Sequence, residues 1–279
     1  MYALDHAALV DRMLTPVLEA GAALLRHRAA GVSVQHKADR SPVTAADRQA
    51  EAIVLAGLAA AAPDVPVIAE EQVSEGRIPA FTTQAFLVDA LDGTKEFIAG
   101  NDDFTVNVAL VEHGVPVFGL LLAPAAGRLF VTPGPAQATE ARFDPARLQQ
   151  DAAGIASALV FSPIRTAEPD IRALRALASR SHLSEATERY LTRLEVASMG
   201  RFGSSLKLGM MAAGEADLYV RHGPTSAWDI AAGHAILVAA GGEVTTVVGA
   251  PLRYLGHPTD FLNPPFVAWG RPSLIVRGA

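Results

Sequence analysis

A mixed α/β (α+β) fold, with helical layers alternating with sheet layers, is what this sequence predicts. Three observations lead there. Apolar residues recur at helical spacing in some stretches and as short continuous runs in others. Two of the short runs end abruptly on acids, as strands do when they deliver a side chain to a loop. Hydrophobic residues make up 50% of the chain and charged residues 19%, which favours a packed globule over disorder.

Leu4, Ala7, Leu14, Leu18, Ala22 and Leu25 share one helical face, interrupted by Asp11. Pro16 lies inside that pattern and predicts a kink or a restart. A second helix is expected over about 44–62, stopped by Pro63, with strands near 65–69 and 86–89. Residues 104–112 and 117–122 read as a hairpin turning at His113-Gly114, and 128–131 extends that sheet. The stretch 132–157, rich in Ala, Gln, Pro and acid, is the best boundary between an N-terminal lobe, 1–150, and a C-terminal lobe, 151–279. In the second lobe, strands are expected at 159–161, 217–221 and 265–269, and helices at 170–179, 184–192, 204–213 and 229–240. A chain of 279 residues can bury a core of this size as one bilobed unit or two ordinary domains.

Charge and composition exclude several functions. The 23 basic and 29 acidic residues give a formal charge of −6, and no two Lys/Arg residues are adjacent, so no nucleic-acid polymer is expected as a partner. The chain has no cysteine, which rules out disulfides and thiolate metal sites. The start, Met1-Tyr2-Ala3-Leu4-Asp5, lacks the features of a secretory signal. The longest apolar stretch, 115–127, is broken by Pro116 and Pro124 and is too short to span a bilayer. A cytoplasmic protein without a transmembrane segment is therefore expected. Its oligomeric state cannot be read from the residues.

The segment from Asp89 to Thr94 carries the chemistry. Ala85-Phe86-Leu87-Val88 leads into two carboxylates, Asp89 and Asp92, three positions apart. Acids this close beside buried chain repel each other, and a hard divalent cation with oxygen ligands would neutralise them. Gly93 allows close backbone approach to a ligand, and Thr94 adds a hydroxyl. Taken alone, the segment fits an Asp-Gly turn equally well. Three further acids each have a structural reading too. Glu70, after Ile68-Ala69, fits a solvated loop; Asp229 fits a helix N-cap; Asp47 suits the dipole at a helix start.

Together and in this order, these segments resemble the Mg²⁺-dependent, Li⁺-sensitive phosphomonoesterases of the inositol monophosphatase superfamily. The family's Asp-Pro-(Ile/Leu)-Asp-Gly-(Thr/Ser) signature is matched by Asp89 to Thr94, with Ala90 in place of proline. Its Trp-Asp-x-Ala-Ala-Gly signature, ending in Gly-Gly, is matched by Trp228 to Gly242. The resemblance runs from about Ala45 to Ala268 and implies a layered αβαβα sandwich of the sugar-phosphatase type. Gly93-Thr94-Lys95-Glu96-Phe97, the 104–110 stretch and Gly203-Ser204-Ser205-Leu206-Lys207 resemble its 3′(2′),5′-bisphosphate nucleotidase branch. Ser179-Arg180-Ser181-His182, the 217–221 stretch and Phe261-Leu262-Asn263-Pro264 do so as well.

The resemblance implies a small phosphorylated nucleotide as substrate, a place in sulfur metabolism, and two Mg²⁺ ions, with a weaker third as an extension. One ion would be held by Glu70, Asp89 and the Leu91 carbonyl, the other by Asp89, Asp92 and Asp229. Thr94 would orient the attacking water, with Asp47 accepting its proton and Glu70 assisting. The N–H groups of Gly93 and Thr94 would meet the phosphate; His182, Ser204, Lys207 and Arg221 would meet the rest of the nucleotide. For Lys207 and Arg221 the plain alternative is a solvated surface charge, and for His182 a loop or cap residue. His27 and His36 read as surface residues. Some members of this branch are described as peripheral to the inner membrane, which adds that location to the cytoplasmic expectation. The competing activities are hydrolysis of inositol monophosphate or a sugar bisphosphate, and a catalytically idle metal-binding role.

Overall fold

The computed structural model describes residues 4–31, 34–36, 42–81, 83–256 and 259–272. In chain order the elements are α1 (His6–Ala30), β1 (Val34–His36), β2 (Pro42–Thr44), α2 (Ala45–Ala61), β3 (Val67–Ala69), α3 (Glu70–Ser74), β4 (Gln84–Asp92) and α4 (Thr94–Ile98). There follow β5 (Thr105–Glu112), β6 (Val115–Ala123), β7 (Arg128–Gly134), β8 (Gln137–Arg142), α5 (Pro145–Leu148), α6 (Ala152–Ala158) and β9 (Ser162–Pro163). The rest is β10 (Arg175–Ser179), α7 (Glu185–Arg193), β11 (Ser198–Phe202), α8 (Leu206–Ala212), β12 (Leu218–Arg221), α9 (Ala227–Ala239), β13 (Glu243–Thr246) and β14 (Phe266–Trp269).

The layers follow the expected αβαβα order. A seven-stranded mixed sheet, ordered β3-β4-β5-β6-β7-β8-β9, packs Phe86, Val88, Val108 and Leu120 against Met13, Leu24, Val54 and Leu58 of α1 and α2. Its other face offers Leu87, Ala109, Leu121 and Phe130 to α8 and α9. A five-stranded sheet, ordered β11-β10-β12-β14-β13, closes over those helices with Leu177, Tyr219 and Phe266. Its outer face carries Leu174, Leu218 and Trp269 beside Tyr190 and Leu191 of α7. The helix α9 is apolar on almost every side, as a helix sandwiched between two sheets must be. It approaches β6 so closely that a Cβ on Gly119 would stand 2.2 Å from the Ala232 carbonyl oxygen.

Several expectations need correction. Residues 175–179 form β10, a strand parallel to β11 and β12, where a helix over 170–179 is expected from sequence. The alanines of Arg175-Ala-Leu-Ala-Ser look helix-forming, yet they are small residues buried between neighbouring strands. Pro16 neither ends nor restarts α1, which runs as one helix of 25 residues. Its ring instead fills the space beside Gly57 of α2. The strand expected at 159–161 is irregular chain, followed by the two-residue β9 on the first sheet. The hairpin turn is where the sequence put it: His113 and Gly114 both have positive φ, 50° and 77°, the geometry of tight hairpin turns. Among the described residues, no helix is long and apolar enough to cross a membrane.

Candidate active site at the junction of the two sheets

The strand β4 does not stop at Asp89 but continues to Asp92, and its pairing with β5 shifts register between the two acids. In a regular strand, residues three apart face opposite sides. The irregularity re-aims the chain, so that Asp89 and Asp92 line the same cleft. Gly93 then takes a left-handed conformation, φ 89°, in a spot where a Cβ would crowd the Asp103 carbonyl at 3.2 Å. Thr94 opens α4 directly after it.

A cleft of about 310 Å³ gathers Glu70, Asp89, Leu91, Asp92, Gly93, Thr94, His182, Ser204, Lys207, Arg221 and Asp229. Every site residue expected from the sequence lies there except Asp47, which stands behind Thr94. Glu70, at the start of α3, Asp89 and Asp229 bring carboxylate oxygens within 4.8 Å of one another. Oxygens at that spacing suit two cations that share Asp89. Asp92 lines the same cleft, but its Oδ2 accepts the Ser205 N–H at 2.6 Å.

The acids of the cleft raise one another's pKa. Burial, with repulsion from Glu70, Asp92 and Asp229, pushes the Asp89 carboxyl well above the usual range. Burial, with Asp92 and Glu70 beside it, does the same to Asp229. Asp92 is pushed up to about 6 by burial, against the pull of Lys207 and the Ser205 N–H. The hard oxygen donors and their mutual repulsion both suit a divalent cation.

Asp229 is not an N-cap. Ser226 caps α9, and Asp229, three residues on, accepts the Ser226 N–H at 2.8 Å in a capping box. Asp47 holds the matching place at α2, accepting the Thr44 N–H and hydroxyl at 2.7 Å each on Oδ2. The Thr94 hydroxyl stands 3.2 Å from Asp47 Oδ1 and 3.2 Å from the Leu91 carbonyl. Burial raises the Asp47 carboxyl, while the Thr44 hydrogen bonds hold it down.

The opposite wall is cationic, and the surface-charge reading of Lys207 and Arg221 does not hold. Lys207 is 2% exposed and Arg221 7%. The Lys207 ammonium donates to the Phe202 and Ser204 carbonyls at 3.0 and 2.5 Å and sits over the Tyr219 ring. Burial lowers its pKa to about 8, against the attraction of Asp92. Arg221 donates to the carbonyls of His182, Gly223 and Pro224. The His182 ring takes the Lys95 ammonium on Nε2 at 3.0 Å; burial and that neighbouring charge lower its pKa. His27 is half-buried, hydrogen-bonded to Gln49, and the side chain of His36 lies outside the described residues.

Sequence reasoning missed the polar side chains beneath the site. Ser205, Thr105 and Asn107 are fully buried around Asp92, and Glu96 meets the Ser181 hydroxyl. Thr105 and Asn107 stand two apart in a strand that is otherwise apolar as far as Val111, and that placement on one face of β5 is the signal that could have found them.

A layered αβαβα fold with a carboxylate cluster facing buried cations defines a metal-dependent phosphomonoesterase of the inositol monophosphatase type. The model of the inositol monophosphatase family matches residues 10–268, and this chain belongs to that family. It is 39% identical over 235 residues to the 3′(2′),5′-bisphosphate nucleotidase CysQ of Escherichia coli (strain K12), covering 84% of this chain and 88% of that one. It is 40% identical to the CysQ of Salmonella typhimurium, covering 82% and 86% of the two chains. The solved structure of CysQ from Bacteroides thetaiotaomicron, described as a bacterial member of the family, superposes with a TM-score of 0.72 at 34% identity, covering 95% and 96%.

Proposed function

We propose that this chain hydrolyses the 3′-phosphate of adenosine 3′,5′-bisphosphate, yielding AMP and phosphate, with Mg²⁺ as cofactor. One observation carries the reading: the cleft sets a carboxylate cluster against two buried cations, Lys207 and Arg221. A bisphosphate needs both, one for the reacting group and one for the phosphate that stays. The names of the relatives that cover most of the chain support the same substrate.

Glu70, Asp89 and the Leu91 carbonyl would hold one Mg²⁺, and Asp89, Asp92 and Asp229 a second. Bound there, the ions would neutralise charge on the phosphoryl oxygens and acidify a water. The chain's own residues do the rest. Thr94 has one hydroxyl proton and spare lone pairs, so it accepts a proton from the attacking water as it passes its own to Asp47 Oδ1. Asp47 suits this duty because burial has raised its basicity. The water oxygen bonds to phosphorus, the bond from phosphorus to the ribose O3′ breaks, and the leaving oxygen takes a proton from solvent. Arg221 and Lys207 orient the second phosphate, for which a planar guanidinium is well shaped.

Phosphate release from a panel of phosphomonoesters, with and without Mg²⁺, tests this. The expected kcat/KM for adenosine 3′,5′-bisphosphate exceeds that for inositol 1-phosphate by at least about tenfold, roughly 1.4 kcal/mol of transition-state binding. Arg221→Ala narrows the gap by weakening only the bisphosphate. Preference for inositol phosphate in the wild type would displace this substrate, and full activity in chelator would remove the metal.

A further inference from the structure

Asp92 ends β4, and what holds its carboxylate there comes from two separate elements, β5 and the start of α8. Its Oδ2 faces Thr105 at 3.4 Å and Asn107 Nδ2 at 3.5 Å, both on β5 of the first sheet. The same oxygen accepts the backbone N–H of Ser205, the residue that precedes α8. The Ser205 hydroxyl also lies 2.7 Å from the Thr105 hydroxyl and 2.7 Å from Asn107 Oδ1. Thr105 and Asn107 are 0% exposed and Ser205 is 2% exposed.

The protons in this cluster can be assigned. Asp92 as an anion only accepts, so the Asn107 amide must turn its NH₂ toward it and its oxygen toward Ser205. Ser205 therefore spends its single hydroxyl proton on Asn107. The close Thr105–Ser205 contact then requires Thr105 to donate to Ser205, because two hydroxyl oxygens at 2.7 Å need one proton between them. The result is a directed chain, Thr105 to Ser205 to Asn107 to Asp92, with the Ser205 N–H closing it from the other side. Every member is satisfied, and each fixes the orientation of the next.

From this geometry we propose that Ser205 is a positioning residue: its hydroxyl locks the Asn107 amide so that one Asp92 oxygen is held and the carboxylate is presented to the cation site. Because Ser205 leads into α8 and Asn107 lies on β5, the lock also ties Asp92's orientation to the docking of that helix on the first sheet. Removing the hydroxyl leaves the buried Asn107 oxygen without its donor, so only the 3.5 Å contact to Asp92 orients the amide and the carboxylate is held less firmly. The inference rests on the reading of Asp92 as a cation ligand. Residues that orient ligands in this way typically cost ~10–100-fold in metal affinity when lost.

The test is calorimetric titration of Mg²⁺ into the full chain, without substrate, well below the melting temperature. Ser205→Ala is expected to weaken Mg²⁺ binding about tenfold. In an Asn107→Ala background the same change is expected to do almost nothing, since it acts through that amide. Thr105→Val removes only the first donor and is expected to weaken binding in the same direction by a smaller factor. A wild type that binds no Mg²⁺ overturns the underlying metal reading. A wild type that binds, beside a Ser205→Ala protein with affinity within about twofold, overturns the role of Ser205 whatever the melting temperature does. Should Ser205→Ala not fold, Thr105→Val decides by the same criterion.

Discussion

The helices α2 and α9 begin alike and meet different surroundings. Each opens with a hydroxyl residue, Thr44 or Ser226, and each places an Asp three residues later whose Oδ2 takes the capping residue's N–H. Local structure is the same, down to hydrogen bonds of 2.7 and 2.8 Å. What differs is the company. Asp47 meets the Thr94 hydroxyl, feels one acid, Glu70, and has its charge held by two hydrogen bonds from Thr44. Asp229 looks out on Glu70, Asp89 and Asp92, and burial, with the charges of Asp92 and Glu70, pushes its carboxyl well above the usual range. A capping box needs only one oxygen of its acid, so capping and chemistry are compatible at one residue. In the proposed mechanism, the neighbours the fold supplies would decide whether that acid handles a proton or a cation.

The sharpest way to break this comparison is Asp229→Asn. The amide oxygen still accepts the Ser226 N–H, so the box survives and only the charge is lost. We expect kcat to fall by roughly 10³-fold or more, about 4 kcal/mol of barrier, with the circular dichroism spectrum unchanged. The Mg²⁺ concentration for half-maximal activity rises as well. Wild-type kcat in this variant would leave Asp229 with capping alone.

Asp47→Asn is the matched partner experiment. It also keeps the box, but it removes the acceptor for the Thr94 proton. The expected loss in kcat is ~10²-fold, at the lower end for general acid–base catalysis, with the Mg²⁺ midpoint unmoved. Thr94→Ala should cost a similar factor in kcat with little change in KM, because water alignment matters in the transition state. The double variant should be little worse than either single one, as for residues acting as a unit. A Mg²⁺ midpoint shifted as far in Asp47→Asn as in Asp229→Asn would erase the distinction between the two helix starts.

The sequence made some of this comparison legible and hid the rest for identifiable reasons. The strand before Asp89, the helix after Asp229 and the acids themselves could be read because short apolar runs and isolated carboxylates are local signals. The layer order followed from the same runs together with the family resemblance. What could not be read depends on contacts far apart in the chain. The shifted register that brings Asp92 around to Asp89's side appears only in pairing with β5. The burial of Lys207 and Arg221 requires the second sheet to close over α8 and α9. Residues 175–179 were misread because alanine is a good helix former and also a small residue that fits between strands. Asp229 looked like a cap because the true cap, Ser226, lies three residues earlier, before the aromatic Trp228.

The smallest expected effect concerns stability without metal. A carboxyl whose pKa is raised on folding binds its proton more tightly folded than unfolded, so ionising it as pH rises destabilises the fold. Asp229 is such a group, through burial and the charges of Asp92 and Glu70. Asp229→Asn removes that penalty. In chelator, the variant's melting temperature minus the wild type's should therefore be positive near pH 8. It should shrink as pH falls through the ordinary carboxylate pKa of about 4, below which both unfolded and folded wild type carry the proton. For a chain of this length the difference is a few degrees, at roughly 2–4 °C per kcal/mol. His182, His222 and His234, whose pKa values burial lowers, act in the opposite sense below about pH 6.5. They are common to both proteins and cancel in the difference. Saturating Mg²⁺ should reverse the sign, because the wild type then gains binding free energy that the variant has lost. Asp47→Asn, measured in the same way, should show a smaller difference at pH 8, since Thr44 already stabilises the Asp47 anion. A difference that is flat with pH, or negative at pH 8 in chelator, would mean that Asp229 is not strained by its neighbours and that the two helix starts are electrostatically alike.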